Sequence, residues 1–142
     1  MKPSICPSNH NVRFDFLGIT NGILAGCVSI TAGCDQMEPW AAVCVGFIGS
    51  FVYCYGALFM QQFKIDDPLE ATAVHGFCGL WGCVAIAFFA KDEGILYGHD
   101  DSGMLLVSQI LGCICIAVWS GSLSAIFFLV CQHLGVLRMT ED

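Results

Sequence analysis

Between Ala71 and Ala90 the chain carries no Asp, Glu, Lys or Arg, and apart from its thiols it has one titratable side chain there, His75. An uncharged imidazole donates one hydrogen bond and accepts another, so such a ring can hold a small polar solute or pass a proton. Three- and four-residue spacing on a helix puts Ala71, Thr72, Cys78, Gly79 and Gly82 on the face of His75, and these side chains are too small to cover it. That face therefore either lines a path or lies very close to another helix, and spacing alone leaves both open.

The ten cysteines offer less chemistry. Cys27, Cys44, Cys54, Cys78, Cys83, Cys113, Cys115 and Cys131 lie inside apolar runs, where a thiol behaves as a small hydrophobe. No C-x-x-C pair occurs, and Cys113 and Cys115 point to different helix faces, so neither a metal site nor a redox centre is expected. A haem on His75 needs a second axial ligand at similar depth, and His10, His99 and His133 fall outside the apolar runs or at an end.

The element that positions His75 has a marked beginning. Asp67 can accept hydrogen bonds from first-turn N–H groups, Pro68 suits the first helical position, and Glu70 stands where a capping box places an acid. Starting there, His75 lies about eight residues along, roughly 12 Å up a helix that crosses an apolar layer about 30 Å thick. An ionisable group at such depth is costly and points to function.

The whole composition agrees with a membrane setting: of 142 residues, 56% are hydrophobic and 12% charged, with a mean hydropathy of +0.73. A formal charge of -7 with scattered Lys and Arg excludes nucleic acid as a partner. Residues 1–13 read as a polar lead-in, and Met1 to Asn11 lack the apolar core of a secretory leader.

Spans are expected at about 14–33, 40–60, 68–90 and 104–131, with a tail stub at 132–142, giving an all-α, polytopic membrane protein of four transmembrane helices joined by short loops. Pro39 starts the second span. Trp40, Tyr53 and Tyr55 are expected at the interfaces. Gly18, Gly22 and Gly26 form a stripe for helix packing, and Gly76 and Gly82 give the third span further close-packing positions. Lys2, Arg13, Lys64 and Arg138 lie on one side and Lys91 on the other, so both termini are expected in the cytoplasm.

Several segments together resemble the ammonium transporter (Amt/Mep) family in its plant and algal form. They are Asp66-Asp67-Pro68, Ala73-Val74-His75-Gly76, Cys78-Gly79 and Trp81-Gly82. Asn21-Gly22, Ile30-Thr31-Ala32-Gly33-Cys34, Glu38-Pro39-Trp40-Ala41-Ala42, Val118-Trp119-Ser120-Gly121 and Leu137-Arg138 extend the likeness over nearly all of residues 14–142.

The resemblance implies the last four spans of an eleven-helix transporter, not an enzyme and without a cofactor. It implies ammonium or ammonia as the permeating species, a homotrimer in the complete protein, and a plasma-membrane location. It also makes His75 the second of two facing pore histidines, with Ala71, Thr72 and Gly79 beside the path. Because the likeness omits the earlier spans, the chain alone is expected not to conduct. The alternative is a non-transporting membrane subunit that associates with complete transporters and modulates them.

Overall fold

The computed structural model describes residues 16–98 and 102–137. Each apolar run becomes a helix: α1, Phe16–Thr31; α2, Pro39–Gln62; α3, Thr72–Phe89; and α4, Ser102–His133. A single 3-10 turn, Ile95–Tyr97, interrupts the connection between α3 and α4. There is no strand among the described residues, only an isolated bridge between Met37 and Ala90.

Helices α2, α3 and α4 are long and apolar enough to cross a membrane, whereas α1 is a shorter apolar helix of 16 residues. The 32 residues of α4 extend about 48 Å, well beyond an apolar layer of about 30 Å.

The helix ends follow from local chemistry. Pro39 occupies the first turn of α2, where a missing N–H costs nothing. At the other end Lys64 adopts φ 54°, with Lys64 N bonded to Gln61 O and Ile65 N to Met60 O at 3.1 and 3.0 Å. Gly135 ends α4 in the same way, with φ 72°. Both endings satisfy carbonyls that a helix C-terminus otherwise leaves free. At the far end of the trio, Lys91 N donates to Gln36 O at 2.8 Å and joins the α1–α2 turn to the end of α3.

Helices α1, α2 and α3 pack against one another, while α4 has its extensive contact with α3. The centre is made of small side chains: Ala25, Ala57, Ala73, Val74 and Cys78 cluster around Tyr53. Small residues let backbones approach, and here they do so around Ser29, which is fully buried with its hydroxyl bonded to Ala25 O at 2.8 Å. Gly49 of α2 and Gly82 of α3 both face Ser29. A Cβ on Gly82 would lie 2.6 Å from the Ser29 carbonyl oxygen. The indole of Trp81 donates to Val45 O at 3.1 Å, a second tie between α3 and α2.

The glycine stripe of α1 has two surroundings. Gly26 approaches the backbone of Gly46, where an added Cβ would stand 3.6 Å from its oxygen, while Gly22 has open space. Gly18, Gly22 and Gly26 thus line a groove of about 500 Å³ between α1 and α2.

The start of α3 differs from the sequence expectation. Glu70 N donates to Asp67 O at 3.1 Å, which bends Pro68 and Leu69 into a turn and delays the helix to Thr72. Pro68 is therefore in the preceding turn, not at the first helical position. Asp67 still acts on the helix start: its Oδ1 and Oδ2 accept from Ala71 N at 3.0 Å and Thr72 N at 2.8 Å. Asp67→Ala should cost about 0.5–2 kcal/mol, read as a lower melting temperature and faster amide exchange at Ala71 and Thr72.

Candidate functional site

His75 lies in the first part of α3, where Thr72–Phe77 form a π-helical segment. Such wide turns contain more than the usual 3.6 residues, so three- and four-residue counting fails across them. The consequence is visible in which neighbours share its face. Ala71, Thr72, His75 and Gly76 are exposed and Gly79 is half-buried, with nothing within 4 Å of a Cβ placed on it. Cys78 and Gly82, expected on the same face, are instead buried. Cys78 Sγ donates to Gly49 O at 3.4 Å, and Gly82 abuts Ser29.

The candidate wall is therefore Ala71, Thr72, His75, Gly76 and Gly79. Gly76 meets only Thr72 Cγ2 of its own turn, at 3.5 Å from an added Cβ, so among the described residues it packs no neighbouring helix. The imidazole forms no hydrogen bond with any described residue, which leaves both ring nitrogens for a solute. Val74 and Ala73, buried at 3% and 0% exposure, fix the opposite side of the same turn in the core. Phe77 stacks edge-on against Phe59 at 5.8 Å and lies over Gly56, anchoring the end of the π segment to α2.

Glu70 does something other than close a capping box. It sits outside the helix with φ 56°, a left-handed conformation that costs a residue with a Cβ about 1–2 kcal/mol. Its carboxylate turns inward, where Oε2 accepts from the hydroxyl of Tyr53 and from Asn21 Nδ2, the latter at 3.3 Å. Asn21 also donates to Leu69 O at 3.2 Å. Tyr53, expected at the membrane interface, is 4% exposed and belongs to the core, and Asn21 is 7% exposed.

The sequence places Tyr53 at an interface and Asn21 in a family-like segment, and does not bring either to Glu70. The available signals were an asparagine on the small-residue face of α1 and a tyrosine in register with Gly49 and Gly56 of α2. Trp40 and Tyr55, by contrast, are exposed, and the Trp40 indole donates to Glu38 Oε2 at 2.7 Å.

Among the described residues, no three His, Cys, Asp or Glu side chains converge as a metal site. What the arrangement offers is a hydrogen-bonding ring on a wall of small groups, backed by the packed core of α1, α2 and α3.

Comparison with known proteins adds to this geometry. The profile described as Ammonium Transporter Family matches residues 2–142. "Ammonium transporter 3" of Dictyostelium discoideum is 38% identical over 144 residues, covering 93% of this chain and 33% of that protein. "Ammonium transporter 1 member 3" of Solanum lycopersicum is 36% identical over 145 residues, covering 92% of this chain and 32% of the relative. For "Ammonium transporter 1 member 2" of Oryza sativa subsp. japonica the identity is 35% over 141 residues, with 92% and 28% covered. The chain thus spans about a third or less of these curated relatives.

Proposed function

The chain belongs to the ammonium transporter family, and we propose that it supplies one wall of an ammonium pathway in which the His75 imidazole faces the permeating species. It is a multi-pass integral membrane protein. The observation that carries the proposal is the placement of His75: a ring with no hydrogen-bond partner among the described residues, on an open face of small residues, in a helix otherwise free of charge. An ammonium ion cannot cross a dry layer with its charge uncompensated and its water removed, because desolvating an ion is too costly. A neutral imidazole offers a hydrogen-bond acceptor for N–H groups and a donor for a lone pair, so it suits ammonium and ammonia alike. Ala71, Thr72 and Gly79 leave the space through which such a solute passes.

In this reading the protein moves its substrate and makes no covalent bond, so it is a transporter and not an enzyme. The homotrimer, the plasma membrane and the cytoplasmic placement of both termini are part of the same proposal. Lys64 between α2 and α3 supports the last of these, since basic residues favour the cytoplasmic side.

The test is a replacement. This chain takes the place of the matching third of the Dictyostelium relative, and the hybrid is made in cells without ammonium uptake of their own. Saturable uptake of labelled methylammonium is the expected result. Background uptake by a hybrid that reaches the membrane overturns the reading. The chain made alone is expected at background, because the face of His75 then lacks an opposing wall.

A further inference from the structure

We infer that Glu70 is a positioning residue for His75: its carboxylate, clasped between Asn21 of α1 and Tyr53 of α2, sets the rotation of the wide turn that presents the imidazole. The inference rests on the reading of His75 as a pathway residue.

Three elements converge five residues before the ring. Glu70 is tied at both ends of its backbone, its N–H donating to Asp67 O at 3.1 Å and its carbonyl accepting from Val74 N at 3.0 Å. Val74 is the residue next to His75 and is itself buried. The direction in which this first turn leaves Glu70 therefore sets where His75 points.

A residue with a Cβ keeps a φ near 55° only where its surroundings hold it: at Lys64 the backbone bonds of the α2 end do so, and at Glu70 side chains join the backbone bonds. The holding groups are buried and come from two different helices: the hydroxyl of Tyr53 and the amide of Asn21 both donate to Oε2. The second amide hydrogen of Asn21 goes to Leu69 O, one residue earlier, and grips the same turn by its main chain.

A carboxylate serving only the positive end of a helix would face water. This one spends its oxygen on the core, next to the turn that bears the histidine. Without it, Tyr53 and Asn21 lose their common acceptor, residue 70 is released from its left-handed conformation, and the π segment turns with it.

Glutamine separates the clasp from the charge. Its amide oxygen can accept from Tyr53 and Asn21 at the same place, although it carries no charge. If Glu70 acts by position, Glu70→Gln resembles the parent and Glu70→Ala does not. If Glu70 acts by attracting cations, both substitutions are equally damaging.

The experiment uses the full chain, labelled with 15N-histidine and reconstituted in lipid nanodiscs, with the ring signal of His75 identified by its loss in His75→Gln. In Glu70→Ala the His75 signal should shift or broaden while that of His133, at the end of α4, stays in place. In Glu70→Gln both should stay. Tyr53→Phe should move the His75 signal in the same direction as Glu70→Ala, and the double variant should move it no further, as expected of groups that act as one unit.

In the transporting hybrid, Glu70→Ala should lower the maximal rate about tenfold and Glu70→Gln by less than about threefold, with KM little changed in both. An unmoved His75 signal in Glu70→Ala overturns the inference, as does equal damage from Gln and Ala. Should Glu70→Ala fail to fold, Tyr53→Phe carries the same test, because it removes a single hydroxyl. If the ring signal responds but His75→Ala transports like the parent, the pathway reading fails and the positioning role remains. If His75→Ala loses transport but the signal ignores Glu70, only the positioning role fails.

Discussion

Replacing His75 by alanine should reduce saturable methylammonium uptake by the transporting hybrid about ten- to a hundredfold at equal amounts of protein in the membrane. The estimate follows from the loss of one hydrogen-bonding partner in a dry path, about 1–3 kcal/mol, with each 1.4 kcal/mol a factor of ten. No other described side chain on that face can take over. Ala71, Gly76 and Gly79 have no polar side-chain atom, and the Thr72 hydroxyl sits a turn away on the same strip.

His75→Gln refines the result. Its amide also donates and accepts, but from two separate atoms that do not exchange a proton through the ring. If His75 only holds the solute, glutamine should restore much of the rate. If a proton passes through the imidazole, glutamine should be as poor as alanine. Folding is not at issue in either variant, since the ring is exposed and has no partner among the described residues. Parental uptake by His75→Ala would remove the residue from the pathway altogether.

Much of the fold is legible in the residues. Charge-free runs of sufficient length give the helices, Pro39 gives the start of α2, and Asp67 gives the acceptor for the first amides of α3. Periodicity does not foresee the π segment, because the reading assumes 3.6 residues per turn throughout, and a single wide turn moves Cys78 and Gly82 off the face of His75.

Glu70 escapes for a different reason. A capping box is a local pattern, and the groups that claim its carboxylate lie 17 and 49 positions away. Tyr53 is equally ambiguous in sequence: a tyrosine near the end of an apolar run fits either an interface or a core with one polar partner, and only the position of Glu70 decides. The glycine stripe of α1 is visible as spacing, yet spacing does not say that Gly26 meets Gly46 while Gly22 faces open space.

Two glycines on α3, three residues apart, should separate the wall from the packing seam. A Cβ on Gly82 would stand 2.6 Å from the backbone oxygen and 3.2 Å from the carbonyl carbon of Ser29, and a backbone cannot yield as the tip of a side chain can. Gly82→Leu must push α3 away from α1. Overpacking of this kind costs about 1–3 kcal/mol or more, and Ser29, Gly49 and Cys78 lie at the same crossing. The expected signs are a lower melting temperature and maleimide labelling at Cys78, which is fully buried in the parent, located by mass spectrometry of its peptide because Cys27, Cys34, Cys44 and Cys115 are exposed from the start.

Gly79→Leu should do the opposite. Nothing lies within 4 Å of its added Cβ, so melting and Cys78 protection should stay at parental levels. Its isobutyl group would instead fill the space beside His75, and uptake by the hybrid should fall about tenfold or more, since a misplaced or blocked solute loses its geometry with the ring. Protected Cys78 with full uptake in Gly79→Leu would show that the permeating species does not travel along this face. Unchanged melting in Gly82→Leu would show that α3 does not lean on Ser29.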